Sequence, residues 1–314
     1  MLHQLAMTAK FKVIQRAIWI IMISVHGLSM AQERYRDSIF GEIKVRTFDY
    51  ADTLKLDFYD AALDSFSLKP LIILVHGGGF AAGQRNGEEE VKLARKFAQR
   101  GYGVASISYR LTMKNRDFGC HCAIPDKLQA YINGVDDLKK AKYFLTTYAS
   151  DFQIDPKKII LVGSSAGAET VLNSTIMKDH YLFKQVDRDE GKVIGLISMS
   201  GATLESHYLS LGNAVPMLFF HGKQDKMVPF GIGSHHTCLP KSEGYLMLDG
   251  PVAIADRLNR LQTAYELYFD PMGGHEWADI AFGYFDTMAA FLYHVVLQGE
   301  FRQKIHEITA PIHK

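Results

Sequence analysis

A serine within a glycine-rich turn is the residue of this sequence best suited to covalent chemistry. The pentapeptide Gly163-Ser164-Ser165-Ala166-Gly167 follows the apolar run 159–162 and precedes a stretch of helical character. A strand that enters a sharp turn and leaves as a helix lifts the central side chain above the sheet edge, where its hydroxyl can reach a substrate carbonyl. The helix N-terminus beneath this turn also favours the negative charge of an oxyanion. The pattern predicts that Ser165 is a nucleophile in acyl transfer.

A second glycine-rich segment lies upstream and could hold that oxyanion. The apolar run 70–75 ends in His76-Gly77-Gly78-Gly79-Phe80. Consecutive glycines leave backbone N–H groups unshielded and allow torsion angles that a side chain would forbid. We therefore predict an oxyanion hole formed by the N–H groups of Gly78, Gly79 and Ala166, with His76 bracing the loop and transferring no proton in the reaction.

A nucleophilic serine also needs a base and an acid, which should follow it in the order acid, then histidine, each in a loop after a strand. Asp225 lies just past the apolar run 216–220, and His275 lies just past the run 265–269. His275 is predicted to take the proton of Ser165 and return it to the leaving alcohol, while Asp225 orients the imidazole and stabilises the imidazolium.

Other acids and histidines in the chain are less well placed for these roles. The sequence has 13 histidines, and those that compete with His275 either lie at a strand end or have side chains that diverge from each other. Among the competing acids, Asp256 belongs to a helix face and Asp249 to a turn-like segment. These alternatives are His221, His235, His236, Asp249, Asp256 and Asp270.

The chain resembles the α/β-hydrolase superfamily in four motifs and in their order along the sequence. The motifs are HGGGF, GSSAG, HGKQDKMVP and GGHEW. Within this superfamily, the chain is most similar to secreted bacterial carboxylesterases of the hormone-sensitive-lipase-like and feruloyl/acetyl-esterase-like (BD-FAE-like) branches. The resemblance covers about residues 40–298, and it departs from the hormone-sensitive-lipase pattern at Ser164 and Ala168, where Asp and Gly are usual. It implies the triad Ser165, Asp225 and His275.

The resemblance implies a serine carboxylesterase for short-chain esters, with acetyl or feruloyl esters of carbohydrates as candidate substrates. The mechanism uses an acyl-enzyme and needs no metal or organic cofactor. Two alternatives remain: a serine peptidase of the prolyl-oligopeptidase type, and a binding protein that keeps the hydrolase fold without catalysis.

Apolar strands that alternate with helices predict a three-layer α/β fold with a mostly parallel sheet and helices on both faces. Two half-exposed strands near residues 43–45 and 54–58 should form one antiparallel edge of the sheet. Six buried strands follow, which makes eight in total, near 71–75, 103–109, 159–162, 193–198, 217–220 and 266–269. A helix over 87–100 should begin with Glu88, Glu89 and Glu90, as the helix dipole favours.

The N-terminus has the features of an export signal. Lys10, Lys12 and Arg16 precede the apolar run 17–25, and Ser29-Met30-Ala31 offers small residues for cleavage after Ala31. The run is too short for a stable membrane anchor. We therefore expect a signal peptide over 1–31, a single hydrolase domain over 32–314, and a secreted or periplasmic protein.

The mature chain would carry a net charge of about −2, since loss of three of the 35 basic residues leaves 32 against 34 acidic residues. This balance gives no sign of nucleic-acid binding. In an oxidising compartment, Cys238 could pair with either Cys120 or Cys122. Residues 226–262 could wall the substrate pocket, and other candidate wall residues, each of which could instead be core, are Phe80, 120–124, Tyr245, Met247, Leu248 and Trp277.

Overall fold

The computed structural model describes residues 34–184 and 191–309, so the predicted signal peptide lies outside the described residues. Eleven strands lie within these two described ranges. They are β1 (Ile43–Ala51), β2 (Leu54–Ala61), β3 (Lys69–Val75), β4 (Gly103–Ile107), β5 (Ile154–Ser164), β6 (Val193–Met199), β7 (Met217–Gly222), β8 (Ile232–Ser234), β9 (Met247–Asp249), β10 (Tyr265–Asp270) and β11 (Gln303–Glu307).

Helices connect most of these strands. The α-helices are α1 (Glu88–Ala98), α2 (Ile124–Thr147), α3 (Ala149–Phe152), α4 (Ala166–Ile176), α5 (Pro251–Arg260), α6 (Trp277–Ile280) and α7 (Phe285–Phe291). Short 3₁₀ turns lie at Ser206–Tyr208, His235–Thr237 and Ala281–Tyr284, and a π-helical segment spans Leu292–Leu297.

Nine strands form the main sheet, in the order β1-β2-β4-β3-β5-β6-β7-β10-β11. The β1–β2 and β2–β4 pairs are antiparallel, and all other neighbours are parallel. The predicted fold class, an α/β-hydrolase sheet that is mostly parallel, is confirmed. The predicted number of eight strands is wrong, because β11 adds a ninth strand beside β10.

The missed strand β11 pairs with β10 from Tyr265 opposite Gln303 to Phe269 opposite Glu307. Its sequence is Gln-Lys-Ile-His-Glu, and the strand is half-buried to exposed. An edge strand with one solvent-facing side lacks the apolar run by which buried strands are recognised. Strand β2 is also more buried than predicted. It was expected to be half exposed, but its residues 56–59 are buried, and the strand lies between β1 and β4.

Both faces of the sheet are covered. Successive residues of β3 alternate between two hydrophobic clusters: Leu71 and Ile73 belong to one, and Ile72 and Leu74 to the other. The first cluster lies under α2 and α4, and the second under α1 and the C-terminal helices. The stripe of α1 that is buried consists of Leu93, Ala94, Phe97 and Ala98. Burial on both faces explains the continuous apolar runs of the parallel strands.

The helical run Trp277–Leu297 has the length and the hydropathy of a membrane span, with a mean hydropathy of 1.4. Its side chains nevertheless pack into the second cluster, where Trp277, Phe285 and Leu292 are buried. A core helix of this kind meets the same two criteria of length and composition.

A disulfide joins Cys120 to Cys238, with the two Cα atoms 5.2 Å apart. The sequence left two partners open for Cys238, and the structure selects Cys120. Cys122 is free and buried. The bridge ties the loop before α2 to the segment after the 3₁₀ turn His235–Thr237.

Candidate active site

Ser165 lies at the sharp turn between β5 and α4 and is the one residue between them. Its backbone is in a left-handed conformation, with φ 50° and ψ −121°, which a non-glycine residue adopts only under strain. The glycines on either side permit the turn: a Cβ on Gly163 would lie 2.4 Å from the backbone of Gly167, and one on Gly167 would lie 2.1 Å from the carbonyl oxygen of Val75. The Ser165 N–H donates to Met199 O at 2.8 Å.

His275 and Asp225 complete a hydrogen-bonded chain with this serine. Ser165 Oγ lies 2.8 Å from His275 Nε2, and His275 Nδ1 lies 2.7 Å from Asp225 Oδ2. A carboxylate only accepts, so Nδ1 carries the proton and Nε2 is left to accept from the Ser165 hydroxyl. The structure thus brings together all three side chains that the sequence singled out, in the protonation states that a general base requires.

Asp225 is held firmly in this arrangement. Its Oδ1 accepts from the N–H groups of Met227 at 2.8 Å and Val228 at 2.9 Å. Burial opposes ionisation of this carboxyl, but hydrogen bonds from His221 and His275 outweigh it and hold the Asp225 pKa well below its usual value. Asp225 therefore stays a carboxylate while it faces His275.

The competing acids have other partners. Asp249 accepts from the N–H and the hydroxyl of Ser206, and Asp256 pairs with Arg260 one helical turn away. Asp270 is buried beside the site, where it accepts from Trp277 Nε1 at 3.2 Å. It also accepts from the Met272 N–H at 2.9 Å, which orders the turn before His275.

The loop after β3 lies directly against the serine turn. A Cβ on Gly77 would lie only 3.2 Å from Ser164 O. Gly78 and Gly79 have φ values of 106° and 61°, and neither N–H donates to a backbone carbonyl within residues 34–184 and 191–309. Ala166 is the first residue of α4, so its N–H also has no acceptor within the helix. These three donors remain the predicted oxyanion hole.

His76 supports the loop from beneath. Its Nδ1 donates to Gly77 O at 2.7 Å, and its ring stacks on Tyr109 at 4.3 Å. The Tyr109 hydroxyl in turn donates to His76 O at 3.0 Å. Burial lowers the pKa of His76, so the imidazole stays neutral. This geometry is that of a bracing residue.

A cavity of about 510 Å³ opens over Ser165 and His275. Its walls are glycines and polar side chains, with Met227 as the one large apolar side chain among the described residues that line it. The lining consists of His76, Gly77, Gly78, Gly79, Gly83, Gln84, Gly87, Glu90, Ser164, Ser165, Met227, His275, Ala278 and Asp279. Met227 belongs to the segment 226–262 that was expected to wall the pocket. The individually proposed wall residues do not line the cavity, and Phe80, Leu248 and Trp277 among them are buried in the core.

Known structures share this architecture. The esterase Est2 of the planctomycete Thermogutta terrifontis, with propionate bound, has a TM-score of 0.58 at 18% identity, over 80% of this chain and 94% of that chain. The same esterase phosphonylated by cyclosarin has a TM-score of 0.55 at 20% identity, over 83% and 97%. MGS-M1, an α/β hydrolase from a Medee basin deep-sea metagenome library, has a TM-score of 0.51 at 16% identity, over 80% and 99%. At such identities the likeness shows the fold alone.

Residues 56–203, from β2 to just past β6, match the BD-FAE family. The chain therefore has the α/β-hydrolase fold, and this part of it is similar to the BD-FAE family. The match includes Ser165 and the glycine loop, whereas Asp225 and His275 lie beyond it. No curated protein sequence matches this chain.

The α/β hydrolase also contains a buried polar cluster that sequence reasoning missed. Glu169, one turn after Ser165, is 1% exposed and accepts from the Tyr131 hydroxyl at 3.0 Å. Burial raises the pKa of Glu169 to about 8. Nearby, Lys127 Nζ donates to Gly244 O at 2.8 Å and lies 3.3 Å from His235 Nδ1. No local pattern marks these residues, because each lies on a helix or loop whose neighbours in space come from distant parts of the chain.

Proposed function

We propose that this α/β hydrolase is a serine carboxylesterase that cleaves short-chain esters through an acyl-enzyme. The observation that carries the proposal is the hydrogen-bonded chain from Ser165 through His275 to Asp225. An alcohol, a neutral imidazole and a carboxylate in this order activate the hydroxyl for attack on an ester carbonyl.

In the proposed reaction, Ser165 Oγ attacks the carbonyl carbon while its proton passes to His275 Nε2. The N–H groups of Gly78, Gly79 and Ala166 receive the oxyanion, which a preorganised set of donors stabilises more than the substrate carbonyl. His275 then gives the proton to the departing alcohol. Water repeats the sequence on the acyl-enzyme, releases the acid and restores the serine. No metal or organic cofactor is needed.

The cavity supports a small acyl group and a polar alcohol. Its lining supplies Gln84, Glu90 and Asp279 as hydrogen-bonding groups, whereas a pocket for a long acyl chain is lined predominantly by apolar side chains. Carboxylates and amides are suited to accept from the hydroxyls of a sugar. The structural relative Est2 has been seen with propionate bound. We therefore propose esters of carbohydrates as the substrates: acetyl esters, whose acyl group is small, with feruloyl esters as the alternative.

An extracytoplasmic location completes the proposal. Residues 1–31 have the composition of an export signal, and the Cys120–Cys238 disulfide suits an oxidising compartment.

Hydrolysis of p-nitrophenyl acetate tests the proposal. Ser165→Ala should lower kcat/KM by about 10⁴-fold or more, because the nucleophile and its base act as a unit. Ser174→Ala, on the same helix with its hydroxyl bonded to Val171 O, is the matched control and should keep wild-type turnover. A fluorophosphonate should label Ser165 in the wild type. Equal turnover by wild type and Ser165→Ala would remove Ser165 from the mechanism. Acetylated xylan and methyl ferulate test the substrate class.

A further inference from the structure

A second histidine contacts the carboxylate of Asp225. His221 lies in β7, four residues before Asp225, and its side chain is 1% exposed. Its Nε2 is 3.0 Å from Val228 O and 3.4 Å from Asp225 Oδ2.

The protonation of His221 follows from these neighbours. A carbonyl oxygen and a carboxylate oxygen can only accept, so Nε2 must carry a proton, which it donates to Val228 O while it faces Asp225. Asp225 Oδ2 therefore accepts from His275 Nδ1 at 2.7 Å and has the N–H of His221 beside it, with the nitrogen at 3.4 Å. Oδ1 receives the two backbone donors of Met227 and Val228.

We propose that His221 is a positioning residue for the esterase reaction: it holds the Asp225 carboxylate in the orientation in which His275 Nδ1 donates to it. This role rests on the proposed function. His221 does not line the cavity, and it meets the three side chains through Asp225.

The charges around Asp225 support this role. Burial alone would favour the protonated acid, and donors from His221 and His275 reverse that preference in the Asp225 pKa. The other ionisable groups that interact with Asp225 are Glu169, His235 and His236, and burial shifts the pKa of each towards its neutral form. His221 and His275 are thus the side chains that stabilise the negative charge of Asp225.

A double-mutant cycle with Asp225→Asn distinguishes positioning from general support of the fold. His221→Phe should lower kcat/KM for p-nitrophenyl acetate about 10- to 100-fold with little change in KM, because orientation of the base is lost. His221→Gln, whose amide nitrogen can occupy the place of Nε2, should stay within about 3-fold of wild type. When Asp225→Asn is already present, adding His221→Phe should lower kcat/KM by less than about 2-fold. His207→Phe, at an exposed histidine, is the control.

The pH profile gives a second readout. Without the His221 donor, Asp225 interacts more strongly with protonated His275, so the acid limb of kcat/KM should move to higher pH in His221→Phe. If His221 only supported the fold, His221→Phe would lower kcat/KM without moving the acid limb of its pH profile.

Equal fold losses for His221→Phe in both backgrounds would overturn the inference, as would an unmoved acid limb. If His221→Phe does not fold, nitrogen-15 NMR of the wild type decides: a proton on Nε2 of His221 whose resonance shifts in Asp225→Asn supports the role, and the Nδ1–H tautomer refutes it. Failure of the proposed function would be seen separately, as wild-type turnover that Ser165→Ala leaves unchanged.

Discussion

Ser165 and His275 are 110 residues apart in sequence, and a hydrogen bond of 2.8 Å joins their side chains. The sheet order explains how they meet. Ser165 follows β5, His275 follows β10, and only β6 and β7 lie between these strands. Because parallel strands have their carboxyl ends at one edge, the loops after β3, β5, β7 and β10 converge there. The glycine loop, the serine, the acid and the histidine each come from one of these loops.

The glycine loop makes a sharp prediction for two neighbouring positions. A Cβ on Gly78 would lie 2.3 Å from Ala82 O at a φ of 106°, whereas a Cβ on Gly79 would meet no atom within 4 Å. Gly78→Ala must therefore displace the loop and should lower kcat/KM about 10²- to 10³-fold by loss of oxyanion donors. Gly79→Ala should lower kcat/KM by less than about 10-fold, because an alanine in the left-handed conformation is strained by only ~1–2 kcal/mol. Equal losses in the two variants would contradict this account of the loop.

The charge of the cavity predicts a preference among alcohols. Glu90 and Asp279 line it, and no lysine or arginine is among its described lining residues. Acetylcholine and 3,3-dimethylbutyl acetate have the same shape and differ in one positive charge. At pH 8 and low salt we expect kcat/KM to favour the cation by about 3-fold for each carboxylate, and added salt should reduce the ratio.

The matched variants for this test are Glu90→Gln and Asp279→Asn, which should bring the ratio of the two esters towards one. Glu89→Gln is the control, because Glu89 lies on the same turn of α1 but pairs with Lys92 and does not line the cavity. A ratio that the two cavity variants leave unchanged would show that these carboxylates do not face the alcohol.

The buried carboxyl of Glu169 should make the stability of the folded protein depend on pH. Burial raises its pKa in the folded protein to about 8, from an ordinary value of 4.5. Between these values the native state binds the extra proton, so the free energy of unfolding should fall as pH rises through this window and level off above pH 8. Glu169→Gln cannot ionise and lacks this loss, while its amide oxygen still accepts from Tyr131.

Thermal unfolding of both proteins at pH 5, 6.5 and 8 measures the effect. The Tm of Glu169→Gln relative to wild type should rise by about 5 °C across this range. His235, whose pKa burial lowers, acts with the opposite sign, and because its Nε2 lies 3.8 Å from Glu169 Oε1 the difference reports the two groups together. Glu243→Gln, at an exposed glutamate, should show no such trend. A constant difference between Glu169→Gln and wild type would mean that Glu169 is ionised in the native state.

The disulfide predicts both a thiol count and a loss of stability. Denatured protein should expose one thiol before reduction and three after it, and peptide mapping should link Cys120 to Cys238. Cys120→Ser with Cys238→Ser should cost about 2–5 kcal/mol, because the bridge closes a long loop in the unfolded chain. Cys122→Ala should cost much less. A peptide that links Cys122 to Cys238 would contradict the pairing.

Much of this protein could be predicted from sequence because the decisive signals are local. The serine turn needs small residues on both sides of Ser165, and the buried strands carry apolar residues on both faces. Each feature is visible within a few residues. The order of the motifs then indicated Asp225 and His275, whose side chains lie next to each other and to Ser165 in the fold.

The remainder depended on which distant residues meet. The pattern of α1 explained Glu90 as an acidic residue of the opening helical turn, but only the folded chain places it beside Asp279 in the cavity. The choice of Cys120 over Cys122, the burial of Glu169 and the pairing of β11 with β10 have the same origin. Sequence determined the local elements and the order of the reactive groups. Tertiary packing alone decided the contacts between them, because burial and pairing depend on long-range neighbours that no short pattern encodes.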